Sequence, residues 1–315
     1  MYSACRRLSG HGEAGGCRLS RWGSGAHPAR RATRQASAGR SSRTPRLAPM
    51  GQGLPAGAYR GRRALVTGAS AGLGAEFARQ LAEAGANLVL VARRQEALEA
   101  QASTLRARYG VSVACLPADL SDRAAIPPLL AALNALGPVD VLINNAGAGG
   151  PTLLGPASRE EQLRYLELMM LSVTQLCQAL APPMAEAGWG RILNVASVAG
   201  RIGRAGDGHY GPAKAYVIAL SEALHLDLRH RGVHVTALCP GFTHTEFHAE
   251  GELAAMKAKL PKFLWYDADV VVREGLSALE RNRAVYLSGR LYRWLDPFLQ
   301  SVWLRPWLRV PARPQ

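Results

Sequence analysis

A tyrosine and a lysine four residues apart, Tyr210 and Lys214, with Ser197 thirteen positions upstream, are the groups in this chain best suited to chemistry. On a helix, positions i and i+4 share a face with their Cβ atoms about 5–6 Å apart, so an ammonium would stand beside a phenol. A cation there favours the phenolate and draws the tyrosine pKa down from about 10 toward neutrality. Tyr210 then becomes a proton donor and acceptor at working pH. Composition strengthens the pairing: of 38 basic residues only Lys214, Lys257, Lys259 and Lys262 are lysines. A compact ammonium can meet the phenol and a second hydroxyl together, a task for which a flat guanidinium is poorly shaped. Asp207 is placed to cap the start of the helix, and Pro212 falls near its first turn, where proline costs less than in the middle.

Such a pair needs a scaffold and a second reactant, and the chain offers both. The apolar run Ala64-Leu65-Val66 reads as a buried strand, the segment from Ala75 has helical periodicity, and Thr67-Gly68-Ala69-Ser70-Ala71-Gly72-Leu73-Gly74 lies between them. Strand, glycine turn and helix in that order let backbone amides and the positive end of a helix face an anion, so a dinucleotide diphosphate is the expected ligand. Strand-like runs at 64–67, 87–92, 111–116, 139–144, 191–196, 233–238 and 284–287 alternate with helical stretches near 73–84, 95–108, 121–135, 158–186, 209–231 and 268–281. That alternation predicts an α/β fold: one Rossmann-type, doubly wound parallel sheet of about seven strands flanked by helices, with ligand at the carboxyl ends of the strands. Arg93 and Arg94 follow the second strand, where an acid would bind a free ribose 2′-hydroxyl and an arginine would accommodate a 2′-phosphate. NADP(H) is therefore expected over NAD(H). Asp119 after the third strand and Asn144-Asn145-Ala146-Gly147 after the fourth are small polar groups at strand ends.

With these pieces in order, residues from about Arg62 to Leu287 resemble the short-chain dehydrogenase/reductase family in its common Tyr-Lys form. The resemblance rests on Thr67-Gly68-x-x-x-Gly72-x-Gly74, Asn144-Asn145-Ala146-Gly147, Ser197, Tyr210-x-x-x-Lys214 and Pro240-Gly241-Phe242-Thr243-x-Thr245. It implies an oxidoreductase interconverting a ketone and a secondary alcohol by hydride transfer. Tyr210 would exchange the proton, Ser197 would hydrogen-bond the same oxygen, and Lys214 would bind the nicotinamide ribose and tune Tyr210. Ser70 and Leu73 would lie along the diphosphate, Arg93 at the 2′-phosphate, Asp119 at the adenine and Asn145 at the ribose. The Pro240-Gly241 turn and Thr243 would meet the nicotinamide amide, with Thr245 near the diphosphate. One position departs from the family: counting back from Pro182 places Met169 where the family has a fourth catalytic residue, an asparagine. Methionine cannot carry a polar link from Lys214 to solvent, so a slower proton supply, or a catalytically weak nucleotide-binding or scaffolding protein, is the alternative reading.

Residues 1–58 are rich in Arg, Ser, Gly and Ala and read as a disordered tail, with 59–289 as the catalytic domain and 290–315 as a C-terminal amphipathic extension. Up to Pro49 the tail holds ten arginines against one acid, Glu13, so nine of the fifteen excess positive charges lie there. The remainder shows no interleaving of aromatic and basic residues that would mark a base-stacking surface, and nucleic acid is not an expected partner. The tail is either a mitochondrial targeting segment or, with Met50 as an alternative start, a dispensable extension. Five scattered cysteines without a CxxC pair indicate neither a disulfide framework nor a zinc site, and a reducing, cytoplasmic location is expected. His244 and His248 lack a third ligand, so no metal is expected. Between Pro240 and Asp267 the residues Phe242, Phe247, Leu253, Met256, Leu260, Phe263, Leu264, Trp265 and Tyr266 suit either an apolar or long-chain carbonyl substrate or ordinary packing. The run from Leu291 to Arg309, broken at Pro297 and Pro306, mixes Trp and Arg. It suits packing on its own domain, a second subunit of a homo-oligomer, or a membrane interface.

Overall fold

The computed structural model describes residues 53–244, 261, 264–301 and 303. Its strands are β1 (Arg63–Thr67), β2 (Asn87–Ala92), β3 (Val113–Pro117), β4 (Val141–Asn144), β5 (Gly190–Val195), β6 (Val233–Cys239), β7 (Phe242–His244), β8 (Trp265–Asp267) and β9 (Val285–Leu287). Its helices are α1 (Gly72–Glu83), α2 (Gln95–Tyr109), α3 (Ile126–Leu136), α4 (Arg159–Leu166), α5 (Ser172–Glu186), α6 (Tyr210–Leu228), α7 (Ala268–Glu280) and α8 (Arg290–Gln300). Seven strands form one sheet in the order β3-β2-β1-β4-β5-β6-β9, with every neighbouring pair parallel. β7 and β8 form a separate two-stranded ribbon.

The strands read as unbroken apolar runs because helices cover both faces of the sheet. One face buries Phe77, Leu81, Leu98 and Leu276 against Val66, Leu90 and Leu193; the other buries Leu129, Leu133, Leu176 and Leu180 against Leu65, Val89 and Ile192. The chain order reverses at β1, which has β2 on one side and β4 on the other. In an open parallel sheet that reversal opens a crevice above the strand ends, where ligands bind.

Several expected boundaries shift for local reasons. β4 begins at Val141 because Asp140 turns its carboxylate onto the Arg63 amide (2.9 Å) and Arg62 Nη1 (3.1 Å). The stretch expected as one helix over 158–186 is three pieces: α4, opened by a Ser158–Glu161 capping box, a π-helical turn Glu167–Leu171, and α5, which continues through Pro182 and Pro183. The tail boundary near 58 falls late, since Leu54 packs on the core and the Tyr59 amide bonds the Ala84 carbonyl (2.9 Å). The C-terminal extension is not broken at Pro297, because Asp296 and Gln300 both anchor to Arg201 and hold the last turn of α8 in place. Packing on its own domain is thus one use of this helix, while Trp294, Phe298 and Trp303 stay exposed.

Among the described residues the most buried charged side chain is Arg191 on β5. Its guanidinium meets Glu280 at the end of α7 (2.8 and 3.1 Å), lies over the Trp189 ring (4.4 Å) and bonds the Gly190 carbonyl. The Tyr59 hydroxyl donates to the same carboxylate. This cluster ties the far end of the sheet to α7 and to the first described residues.

Candidate active site

The floor of the crevice is the turn after β1. Gly68 and Gly72 have φ of +64° and +55°, in the left-handed region that favours glycine. Gly74 lies under the turn, where a Cβ would come within 2.1 Å of the Gly68 carbonyl oxygen and 2.5 Å of Asn145 Nδ2. A Cβ on Gly68 would stand 2.8 Å from the Ala146 Cα, so the turns after β1 and β4 are in close contact. Ala71, at the N-cap of α1, has no side-chain cap, leaving the first amides of α1 to face an anion at the crevice. That geometry fits a dinucleotide diphosphate along Ser70 and Leu73, both half-buried there.

Asn145 works on this turn more than its sequence position implied. Its Nδ2 donates to the Thr67 and Gly68 carbonyls (3.0 and 3.2 Å), and Thr67 Oγ1 accepts the amides of Asn145 and Ala146. The Nδ2 of its amide is thereby engaged on the glycine turn. Arg93 and Arg94 follow β2 directly and are exposed. Asp119 follows β3; burial pushes its carboxyl up, but bonds from Ser121 and the charges of Arg164 and Arg93 hold it below its usual range.

On the other side of the crevice, Ser197 caps the short 3₁₀ turn Val198–Arg201 at the end of β5, its Oγ accepting the Ala199 amide (3.1 Å). Tyr210 opens α6, with the Ser197 side chain near enough to favour its ionised form. The N-cap position belongs to His209, which makes no side-chain cap, and Asp207 acts from further out, its Oδ1 accepting the Gly211 amide (3.0 Å). The helix starts later than expected because residues 208 and 209 stay outside it, with the buried His209 ring bonded to Gln162 (3.0 Å).

The electrostatics correct one expectation. Burial raises the Tyr210 pKa above its ordinary 10; the Ser197 side chain lowers it, the Asp207 charge raises it, and Arg204 lowers it. Lys214 shares a helical face with Tyr210, yet Nζ donates to the Val195 carbonyl (2.8 Å) and lies 5.9 Å from the phenol ring centroid. Burial itself lowers Lys214 to about 8. Desolvation therefore outweighs the pulls of Ser197 and Arg204, and the Tyr210 phenol holds its proton more tightly than a free one.

Met169 lies in the π-helical turn, 1% exposed, and packs with Tyr165, Ala213 and Tyr210. Its thioether occupies this place where the family pattern would put a polar amide. Pro240 and Gly241 form the turn after β6, joined to the serine turn by the Val198 amide on the Pro240 carbonyl (3.0 Å), and the buried Thr243 Oγ1 bonds the Gly241 carbonyl. Thr245, His248, Phe247, Leu253, Met256, Leu260 and Phe263 lie outside the described residues. His244 stacks on Trp265 at 5.4 Å.

Beneath these groups runs a buried polar ladder: Asn144 Nδ2 to Asn194 Oδ1 (2.8 Å), and Asn194 Nδ2 to Ser221 Oγ (2.9 Å). It fastens β4, β5 and α6 together one strand position from the Lys214–Val195 bond. An asparagine inside the apolar run of β5 is the sequence signal for it, since a buried amide must find partners.

Residues 62–254 match the short chain dehydrogenase family. The ketoacyl reductase HetN of Nostoc sp. is 36% identical over 58% of this chain, a match spanning 63% of HetN, less than two thirds of its length. The 3-oxoacyl-[acyl-carrier-protein] reductase FabG of Escherichia coli is 31% identical over 73% of this chain and 94% of its own. A short-chain dehydrogenase of Sphingobium yanoikuyae, solved in complex with NADPH, is 34% identical, covering 74% of this chain and 91% of its own with a TM-score of 0.67. The chain therefore belongs to the short-chain dehydrogenase family. It is an oxidoreductase of the CH–OH/C=O couple, with Ser197, Tyr210 and Lys214 gathered at the carboxyl ends of its strands.

Proposed function

We propose that the protein is an NADP(H)-dependent reductase of ketones borne on apolar or acyl chains. The observation that carries this reading is the placing of Ser197 at the end of β5 beside Tyr210 at the start of α6, across the crevice from an uncapped helix end and a glycine cradle. NADP(H), when bound, supplies or takes the hydride. The Ser197 and Tyr210 hydroxyls converge on one place, where a carbonyl oxygen is oriented by two hydrogen bonds and receives the Tyr210 proton. Lys214 Nζ, fixed by Val195, holds a positive charge behind the phenol as its proton leaves. Exposed Arg93 and Arg94 directly after β2, where no acid stands, support a 2′-phosphate. The NADPH complex of the Sphingobium protein and the 3-oxoacyl substrate in the name of FabG point the same way. Intact Ser197, Tyr210 and Lys214 weigh against a fold kept without catalysis, and Met169 bears on proton supply to Lys214 instead.

Nicotinamide absorbance followed over aliphatic, steroid and acyl-thioester ketones, with NADPH and NADPH's unphosphorylated counterpart, tests the reading. Turnover with NADPH on an apolar or acyl ketone supports it; turnover only with NADH, or only on small polar carbonyls, rejects it.

The buried lysine also sets a pH profile. Its folded pKa, about 8, lies below its unfolded one, so the ammonium is charged below pH 8 and neutral above. With Tyr210 protonated throughout this range, kcat/KM for NADPH, which reports groups of the free enzyme, is expected to be level below about pH 8 and to fall above it as that charge is lost. Stability moves oppositely. The unfolded lysine keeps its proton to higher pH, so this group's burial penalty is relieved as pH rises through 8. A decline in rate above pH 8 with no loss of thermal stability is the expected pair of results; a level rate across that range removes Lys214's charge from the account.

A further inference from the structure

α8 lies beyond the stretch that matches the family, yet it reaches back to two turns of the active site. Tyr292, on its inner face, sits behind the turn that follows β6. Its ring is packed so closely on Gly241 that a Cβ there would come within 2.0 Å of Cε2. Its hydroxyl accepts the Phe242 amide (3.4 Å) and donates to the Leu264 carbonyl (3.1 Å), so one side chain ties the turn to the residue preceding β8. One turn further along, Asp296 takes the Arg201 guanidinium in a two-pronged bond (2.9 and 2.7 Å), and Gln300 bonds the Arg201 carbonyl (2.7 Å). Arg201 closes the 3₁₀ turn that Ser197 opens. The helix is itself anchored, since Arg293 bonds Glu274 (3.1 Å) and the Leu287 carbonyl (3.0 Å).

The layout of the crevice says what the first of these turns touches. If the diphosphate lies at the β1 turn and the adenosine end lies toward Arg93 on β2, the nicotinamide end must run the other way, over β4, β5 and β6. It must also reach the carbonyl carbon whose oxygen Ser197 and Tyr210 hold. The backbone on that side, bonded to the Ser197 turn through Val198, is Pro240-Gly241-Phe242.

We propose that Tyr292 is a positioning residue for the nicotinamide half of the cofactor, and that Asp296 does the corresponding task for the carbonyl through the Ser197 turn. The proposal rests on the NADP(H) reading above. Neither residue touches the reacting atoms; each holds from outside a turn that does.

The test is a comparison of two ligands. Tyr292→Phe keeps the ring on Gly241 and removes both hydroxyl bonds. The 3.4 Å bond is long and weak, so the loss is about that of one ordinary hydrogen bond, a weakening of about three- to tenfold. That loss is expected in the dissociation constant of NADPH, while adenosine 2′,5′-bisphosphate, which has the phosphorylated adenosine and no nicotinamide, binds within about twofold of wild type. A merely structural role would weaken both ligands together or neither, and either result overturns the proposal for Tyr292. Asp296→Asn is expected to raise the KM of the ketone with NADPH affinity unchanged; a raised NADPH dissociation constant with an unchanged ketone KM overturns its half. Wild-type protein that binds neither nucleotide would overturn the NADP(H) reading, a result distinct from either variant's failure.

Discussion

Replacing Tyr210 with phenylalanine is expected to lower kcat for ketone reduction by about a hundred- to ten-thousandfold, with NADPH binding nearly unchanged. The size follows from what is lost. In the proposed reaction the phenol is the proton donor, and burial raises its pKa above the ordinary value. Among the described residues Ser197 does not replace it, its hydroxyl being too weakly acidic for the task, and Lys214 Nζ is held on the Val195 carbonyl, 5.9 Å from the phenol ring centroid. Met169, Tyr165 and Ala213 pack with Tyr210, so phenylalanine keeps these contacts. The Ser197 hydroxyl retains its bond from the Ala199 amide. The variant should therefore unfold at the same denaturant concentration as wild type, and steady-state rates beside a urea titration check both halves. A loss of less than threefold in kcat would remove Tyr210 from the reaction.

At the other end of the sheet, Glu280→Ala is expected to cost about 3–5 kcal/mol, the usual result when one partner of a buried ion pair is deleted. Arg191 is 2% exposed and Glu280 5% exposed, so the stranded guanidinium cannot reach water. It would keep the Gly190 carbonyl and the Trp189 face, and lose both bonds to the carboxylate. Tyr59 loses its acceptor at the same time. Glu280→Gln, which retains an acceptor for Tyr59, should cost less, and urea midpoints of the two variants give the comparison. Because this cluster lies at the opposite end of the strands from Tyr210, kcat of the folded fraction is expected to stay at the wild-type value.

Much of this was legible in the residues because it depends on local spacing. The glycine turn, the seven strands and the shared face of Tyr210 and Lys214 follow from periods of two and 3.6 residues and from the few residues that tolerate a tight turn. What was not legible depends on burial and on partners far apart in the chain. The sign of the Tyr210 shift turned on desolvation, which spacing does not reveal, and on Lys214 finding a carbonyl on β5. The bracing of the glycine turn by Asn145 has no local signal, because only the folded sheet brings the ends of β1 and β4 together. Tyr292 follows Phe242 by fifty positions, and nothing near it in sequence marks its hydroxyl as a tie between two turns. The place of Met169 follows from its spacing to Pro182, but the π-helical turn that carries it has no signature in composition.

The central claim, that a buried phenol gives its proton to a carbonyl while hydride arrives from a nicotinamide, is tested most directly with NADPH carrying deuterium at the transferred position. In a single turnover with a reducible ketone, wild-type protein should place one deuterium on the carbinol carbon, read by mass spectrometry, and Tyr210→Phe should form alcohol at a rate lower by about two orders of magnitude or more. An alcohol without deuterium, or one formed equally fast by Tyr210→Phe, would contradict it.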